Sequence, residues 1–341
     1  MDMEPAIAAV FLSFVSLGVS ATVVGMCAAG IVVLLIGFLA AGREIPEASG
    51  LDKIVVLSNL CFAAPLAVFG AEHFGLAKGI MMGVPRYMPW PLFWAYFVGA
   101  ALILASLSFA TKIGLRWSGF LFGIMMFLFV AMIHLPGALA NTHNFIRLAR
   151  SSGNIPPSLR ISWTIVFREL SFGSGAWLLA ATTMEGPSLG RRAVVTMARV
   201  VIGITALLFG VEHFLHSINV PGVPLEKLMP SWIPGGTLIV YFTGALLLVA
   251  GVAILLNQKT RIAASYLGSW LLLIVVVIYG PILAAGLLNP STDAKIEGLN
   301  YFFDTLLFAG TILALASALP RSSSPARRTI YSSEQLERPV A

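Results

Sequence analysis

VPRYMPWPLFWAYFVGAALILA at 84–105 is answered by MPSWIPGGTLIVYFTGALLLVA at 229–250. Working outward, GAEHF (70–74) precedes the first stretch and GVEHF (210–214) the second. Each copy then runs on to an apolar segment interrupted by proline, IHLPGALAN (133–141) and IYGPILAAGLLN (278–289). Self-similarity over such a length marks duplication of a whole folding unit. Polar residues kept in both copies are therefore the first candidates for chemistry.

The rest of the sequence answers to lipid. Of 341 residues, 58% are apolar and 11% charged, where a soluble domain carries about 25% charged. Apolar runs recur at the ~20-residue length that crosses a ~30 Å hydrocarbon core. Their backbone groups find no water there, so each run must be a helix. Nine are predicted: 14–41, 54–72, 91–110, 117–135, 161–183, 193–214, 236–256, 263–288 and 300–319. The first is either one long tilted helix or a short segment plus a span, since apolar residues begin at Ala6. The opening Met-Asp-Met-Glu has no basic n-region, which predicts no cleaved signal peptide. The fold class is thus an all-α polytopic membrane protein.

Lys and Arg orient it. The loops 42–53, 111–116, 184–192 and 257–262, with the tail from 320, carry twelve; the opposite loops carry seven. Basic residues stay on the cytoplasmic side, which puts the C-terminus in the cytoplasm and the N-terminus outside the cell (inner) membrane. The organisation predicted is a helix and linker at 1–53, a four-helix repeat at 54–183, a second at 193–319, and a disordered polar tail at 320–341. An even number of helices per repeat makes the repeats parallel rather than inverted. The first outer loop of each repeat is rich in proline and aromatics, and Trp90, Trp94, Trp232 and Tyr241 suit the headgroup layer.

The second repeat opens ARVVIGITALLFGVEHF (198–214), with Arg199, Gly203, Gly210 and His213 in step. A tyrosine–glycine–alanine segment opens the next helix of both copies, Tyr96/Gly99/Ala100 and Tyr241/Gly244/Ala245, and a basic–acidic pair, Arg168–Glu169, sits in the fourth. This set resembles the DoxX-like membrane proteins, present here as a tandem over about three quarters of the chain. The copies depart from the pattern in opposite places: Asn59 stands where the second has Arg199, and Phe303–Asp304 where the first has Arg168–Glu169. The resemblance implies a four-helix module and a link to quinone-coupled oxidation, with quinone as the implied ligand and a soluble or membrane redox partner. Fold transfers between relatives better than function.

Arg168, Glu169, Arg199 and Asp304 fall within predicted spans, where an ionisable group costs about 2.5–3.5 kcal/mol on insertion scales and marks a functional site by default. They serve either as mutual counter-charges or as a ligand or proton site. By depth along the predicted helices, Arg199 should pair with Glu169 rather than Asp304. A second group, Glu72, His73, His134, Glu212, His213 and His216, lies at outer helix ends, with His143 beyond them. A carboxylate beside an imidazole can accept protons from a quinol. Adjacent Glu–His residues diverge by ~100° on a helix, and no HxxxH or HExxH occurs, so no metal site is predicted. Cys27 and Cys61 lack CxxC spacing and read as packing residues. The basic residues are scattered, which excludes a nucleic-acid footprint. No dinucleotide, P-loop or nucleophile-elbow motif is present, so no cofactor is required by the sequence. The leading reading is a non-catalytic, quinone-docking membrane subunit. Against it stand a small-solute carrier or channel built from two parallel halves, and a scaffold or assembly factor.

Overall fold

The computed structural model describes residues 20–320 apart from 43, 153–156 and 187. The predicted first-helix segment before residue 20 and the tail from 321 lie outside the described residues. Within them the chain is helical, with no strand beyond a single bridge between Asn219 and Leu228. Nine long helical stretches follow in order: α1 (Ala21–Ala41), α2 (Ser58–Gly75), α3 (Pro91–Thr111), α4 (Leu115–Phe129, carried through Val130–His134 into Leu135–Ser152), α5 (Pro157–Thr182), α6 (Leu189–Leu215), α7 (Gly236–Leu255), α8 (Thr260–Ile274, carried through Val275–Tyr279 into Gly280–Leu288) and α9 (Thr292–Ala318).

Local chemistry sets the ends. Ser20, Ser188 and Ser291 cap α1, α6 and α9, each hydroxyl accepting a first-turn N–H. Pro91 opens α3, where its missing N–H costs nothing. α4 and α8 each contain a π-turn, at Val130–His134 and Val275–Tyr279, immediately before Pro136 and Pro281. A mid-helix proline removes one donor and crowds the carbonyl four residues back; the widened turn absorbs both.

Eight of these helices, counting α2 from Asp52, are long and apolar enough to cross a membrane. The ninth, α5, has 26 residues and is long enough to cross, but it carries Arg160, Arg168 and Glu169. It also packs against α4, α6 and α9, so its polar side chains need not face lipid. The molecule is an all-α polytopic membrane protein. Leu35, Leu39, Leu104, Leu121, Leu238 and Val249 are exposed on its outer faces, as lipid contact requires.

The helices pack in a closed ring, each of α2 to α9 against its neighbour in sequence and α9 back against α2. α5 and α9 also pack against each other across the ring, and α1 lies outside on α2 and α3. The fourth helix of each predicted repeat thus packs on the first helix of the other. Each predicted repeat also has contacts of its own: the rings of Phe62, Phe109 and Phe122 meet in the first, and Phe209 meets Phe308 in the second. Corresponding contacts occur in both halves. His73 Nδ1 meets Phe69 O at 2.8 Å and His213 Nδ1 meets Phe209 O at 2.6 Å. The rings of Phe74 and Tyr96 lie 5.8 Å apart, those of Phe214 and Tyr241 5.6 Å. A Cβ on Gly70 would fall 3.0 Å from Gly99 O, and one on Gly210 3.1 Å from Gly244 O, so both glycines allow close approach of helix backbones.

Candidate functional site

The centre of the ring is where α5 and α9 meet. Glu169 lies twelve residues into α5 and Asp304 twelve residues into α9, so both sit about 18 Å from the same ends of their helices. Arg168 bridges them. Its Nη2 and Nε donate to Glu169 Oε1 at 2.7 and 3.2 Å, and its Nη1 donates to Asp304 Oδ2 at 2.6 Å. All three side chains are largely buried. The guanidinium also lies 5.9 Å from the centre of the Phe172 ring.

This corrects the expected pairing of Arg199 with Glu169. Hydropathy starts α5 at 161 and α9 at 300, whereas the helices begin at Pro157 and Thr292. With the true starts the two acids are level, and Arg168 is already beside both. Arg199 instead donates to Ile254 O and Leu255 O, each at 2.7 Å, at the end of α7. A cation there adds a donor to carbonyls in the last turn, where Ile254 O also accepts from the Asn257 N–H at 3.1 Å, and complements the negative end of the helix dipole. Two further arginines do the same at this end of the molecule. Arg191 donates to Ala181 O and Ala318 O, and Arg261 to Ala316 O and Leu319 O while pairing with Asp52.

At the opposite, rim end, Glu72 and His73 lie in the last turn of α2 and Glu212 and His213 in the last turn of α6. Glu72 Oε1 accepts from Asn300 Nδ2 at 2.9 Å and lies within electrostatic range of Asp304. Glu212 faces Arg160 at 3.4 Å and His216 at 3.5 Å. His134, at the end of the α4 π-turn, lies within electrostatic range of Glu169 and Arg168; His143 is exposed. His213 departs from the expectation of an open proton acceptor. It is 3% exposed, and its Nε2 accepts the Gly222 N–H at 2.8 Å while Nδ1 donates to Phe209 O. Both nitrogens are used, in a neutral ring whose proton must be on Nδ1, and the residue pins the 216–235 loop to α6.

A cleft of about 450 Å³ opens at the rim end, within the ~300–1,000 Å³ range of small-molecule sites. One face of α9, from Thr292 down to Asp304, forms its length; Leu76 and Leu225 close it from the sides. Asp293 and Glu297 stand at its mouth, Asn300 and Tyr301 midway, and Asp304 at its floor. Asp304 Oδ2 is held by Arg168, while Oδ1 takes no hydrogen bond from a described residue. Asn300 Oδ1 is buried without a partner among the described residues. The Glu–His pairs do not line this cleft; Glu72 reaches it through Asn300. A second cleft, of about 280 Å³, opens at the other end beside Asn59, Thr182 and Ser317. Between the two, α9 is closed off: Thr305 to Ala316 are all buried. Ser174 Oγ and Thr311 Oγ1 lie in this closed region with no hydrogen-bond partner among the described residues.

Asn300 and Tyr301 carry no signal by hydropathy, which puts them at a helix start, where polar residues are ordinary. The helical spacing of Asp293, Glu297, Asn300, Tyr301 and Asp304 was the available signal. Among the described residues no cluster of three metal-ligating side chains occurs. No protein-family model, curated protein or solved structure matches this chain.

Proposed function

We propose that this chain is a carrier for a small polar solute, built from two parallel DoxX-like halves, with the solute held over Asp304 where the halves meet. The observation that carries the reading is the pair of clefts at opposite ends of the central helices, separated by a packed segment. In repeat-built transporters the substrate site lies at the repeat interface near the bilayer midplane. The recurrence of the histidine, aromatic and glycine contacts in both halves supports the duplication. Glu169 and Asp304 then are equivalent acids facing each other, sharing the single guanidinium that one copy supplies. The basic bias of the loops supports an orientation with the larger cleft facing out of the cell and the arginine-capped end facing the cytoplasm.

A quinone-docking role in a redox system is the second reading. The cleft walls favour it: Leu76, Leu225 and Ile296 are apolar, and Tyr301 and Asn300 offer hydrogen bonds to ring oxygens. Two measurements separate the readings. Liposomes holding the purified chain alone are exposed to a panel of small neutral and charged solutes, and osmotic swelling is followed. A carrier swells the vesicles with some solutes and not others, with no partner added. Stoichiometric quinone in an organic extract of the protein, without any solute flux, supports the docking reading and overturns the carrier.

A further inference from the structure

The rim cleft also indicates what kind of solute it takes. Its lining supplies Asp293, Glu297 and Asp304 and no basic side chain. The basic groups touching these acids are Arg168 and Lys227. Arg168 is shared with Glu169, so the floor keeps an excess of negative charge, and Glu72 adds to it from behind Asn300. Carboxylates gathered in one cleft with too few counter-cations attract a cation.

The remaining features specify the cation's shape. Asp304 Oδ1 takes no hydrogen bond among the described residues, and an ammonium group has an N–H donor for it. Tyr301 offers an aromatic face to a cation. Leu76, Leu225 and Ile296 line the same space and suit a hydrocarbon body. Lys227 at the mouth behaves as a tethered substitute: its Nζ lies 3.1 Å from Glu297 Oε1 and 5.9 Å from the centre of the Tyr301 ring. An ammonium on an alkyl stem already rests against two of the groups that line the cleft.

We infer that the cleft binds an amphipathic organic ammonium ion, its N–H groups on Asp304 and its apolar part against Leu76, Leu225 and Ile296. Lys227 competes with it for Glu297 and Tyr301. This deepens the carrier reading of the same site, and the two can fail separately.

The test is calorimetric titration of the purified full chain in detergent with three probes: 2-phenylethylammonium, neutral 2-phenylethanol and anionic 3-phenylpropanoate. The ammonium binds saturably and at least about tenfold tighter than the alcohol, with the carboxylate weakest. Lys227→Gln tightens ammonium binding roughly three- to tenfold by removing the resident cation, an effect that loss of a merely structural ion pair does not give. Asp304→Asn weakens ammonium binding by about tenfold or more and leaves alcohol binding unchanged. Alcohol or carboxylate binding as tight as the ammonium, no saturable ammonium binding, or weakened binding in Lys227→Gln overturns the inference. Ammonium binding without flux leaves the inference standing and removes the carrier; flux of neutral solutes with no ammonium preference does the reverse.

Discussion

Arg168→Met is the most revealing single change. In the native chain one guanidinium makes three hydrogen bonds to two carboxylates, all largely out of water. Removing it leaves Glu169 and Asp304 level with each other, buried and without a counter-charge. Breaking a buried pair by deleting one partner costs about 3–5 kcal/mol, most of it the stranded charge. Asp304→Asn is milder, because Arg168 keeps Glu169 and the charges still balance. The loss is then one charge-assisted hydrogen bond, about 1.5–3 kcal/mol. Neutralising all three together, as Arg168→Met/Glu169→Gln/Asp304→Asn, strands nothing and recovers much of the first loss. The order expected is wild type most stable, then Asp304→Asn and the triple variant, then Arg168→Met. Reversible unfolding in mixed micelles, titrated with a denaturing detergent and followed by the fluorescence of the seven tryptophans, reads that order. Arg168→Met as stable as wild type refutes the reasoning, and so does a triple variant less stable than Arg168→Met.

Three other outcomes follow from the geometry. Arg199→Gln uncovers the carbonyls at the end of α7 and lowers stability by about 1–3 kcal/mol, while 2-phenylethylammonium titration of the same variant gives the wild-type affinity. His213→Ala leaves the Gly222 N–H unpaired; hydrogen exchange in the 216–235 loop should accelerate before the helices do, and uniform acceleration contradicts a local anchor. Gly175→Ala places a Cβ 2.9 Å from Thr311 Oγ1 and 3.1 Å from Thr311 Cα, wedging α5 from α9 at a cost of about 1–3 kcal/mol in the unfolding titration.

Much of the architecture was legible because lipid makes composition decisive. A run of twenty apolar residues has few ways to satisfy its backbone, so the long helices and their order could be read directly. The repeated GxEHF and tyrosine–glycine–alanine segments pointed to contacts that the structure makes in both halves. Helix ends were less legible. α9 begins with the polar sequence TDAKIEG, which hydropathy alone leaves outside the span, although Ser291 caps it and Asp293 favours its first turn. That eight-residue difference erased the depth contrast between Glu169 and Asp304, while Arg199 was lost to the pairing for another reason, its contact with the carbonyls that end α7. The site was legible only in part. Arg168, Glu169 and Asp304 announced themselves as charges in lipid. Which helix faced which came from packing across the ring, and nothing local in the sequence records that α5 meets α9. His213 misled because a histidine at a helix end reads as open. The N–H that occupies its Nε2 belongs to a glycine nine residues on, in a loop whose path sequence does not reveal.

The central claim is that an organic ammonium ion crosses through the interface of the two halves by way of Asp304. Uptake of radiolabelled 2-phenylethylammonium into liposomes containing only the purified chain tests it most directly, with wild type and Asp304→Asn reconstituted to equal density. The account predicts saturable uptake by wild type above protein-free vesicles, and uptake by Asp304→Asn reduced to near that background. Wild-type uptake no faster than in protein-free vesicles, or equal uptake by the two proteins, contradicts it.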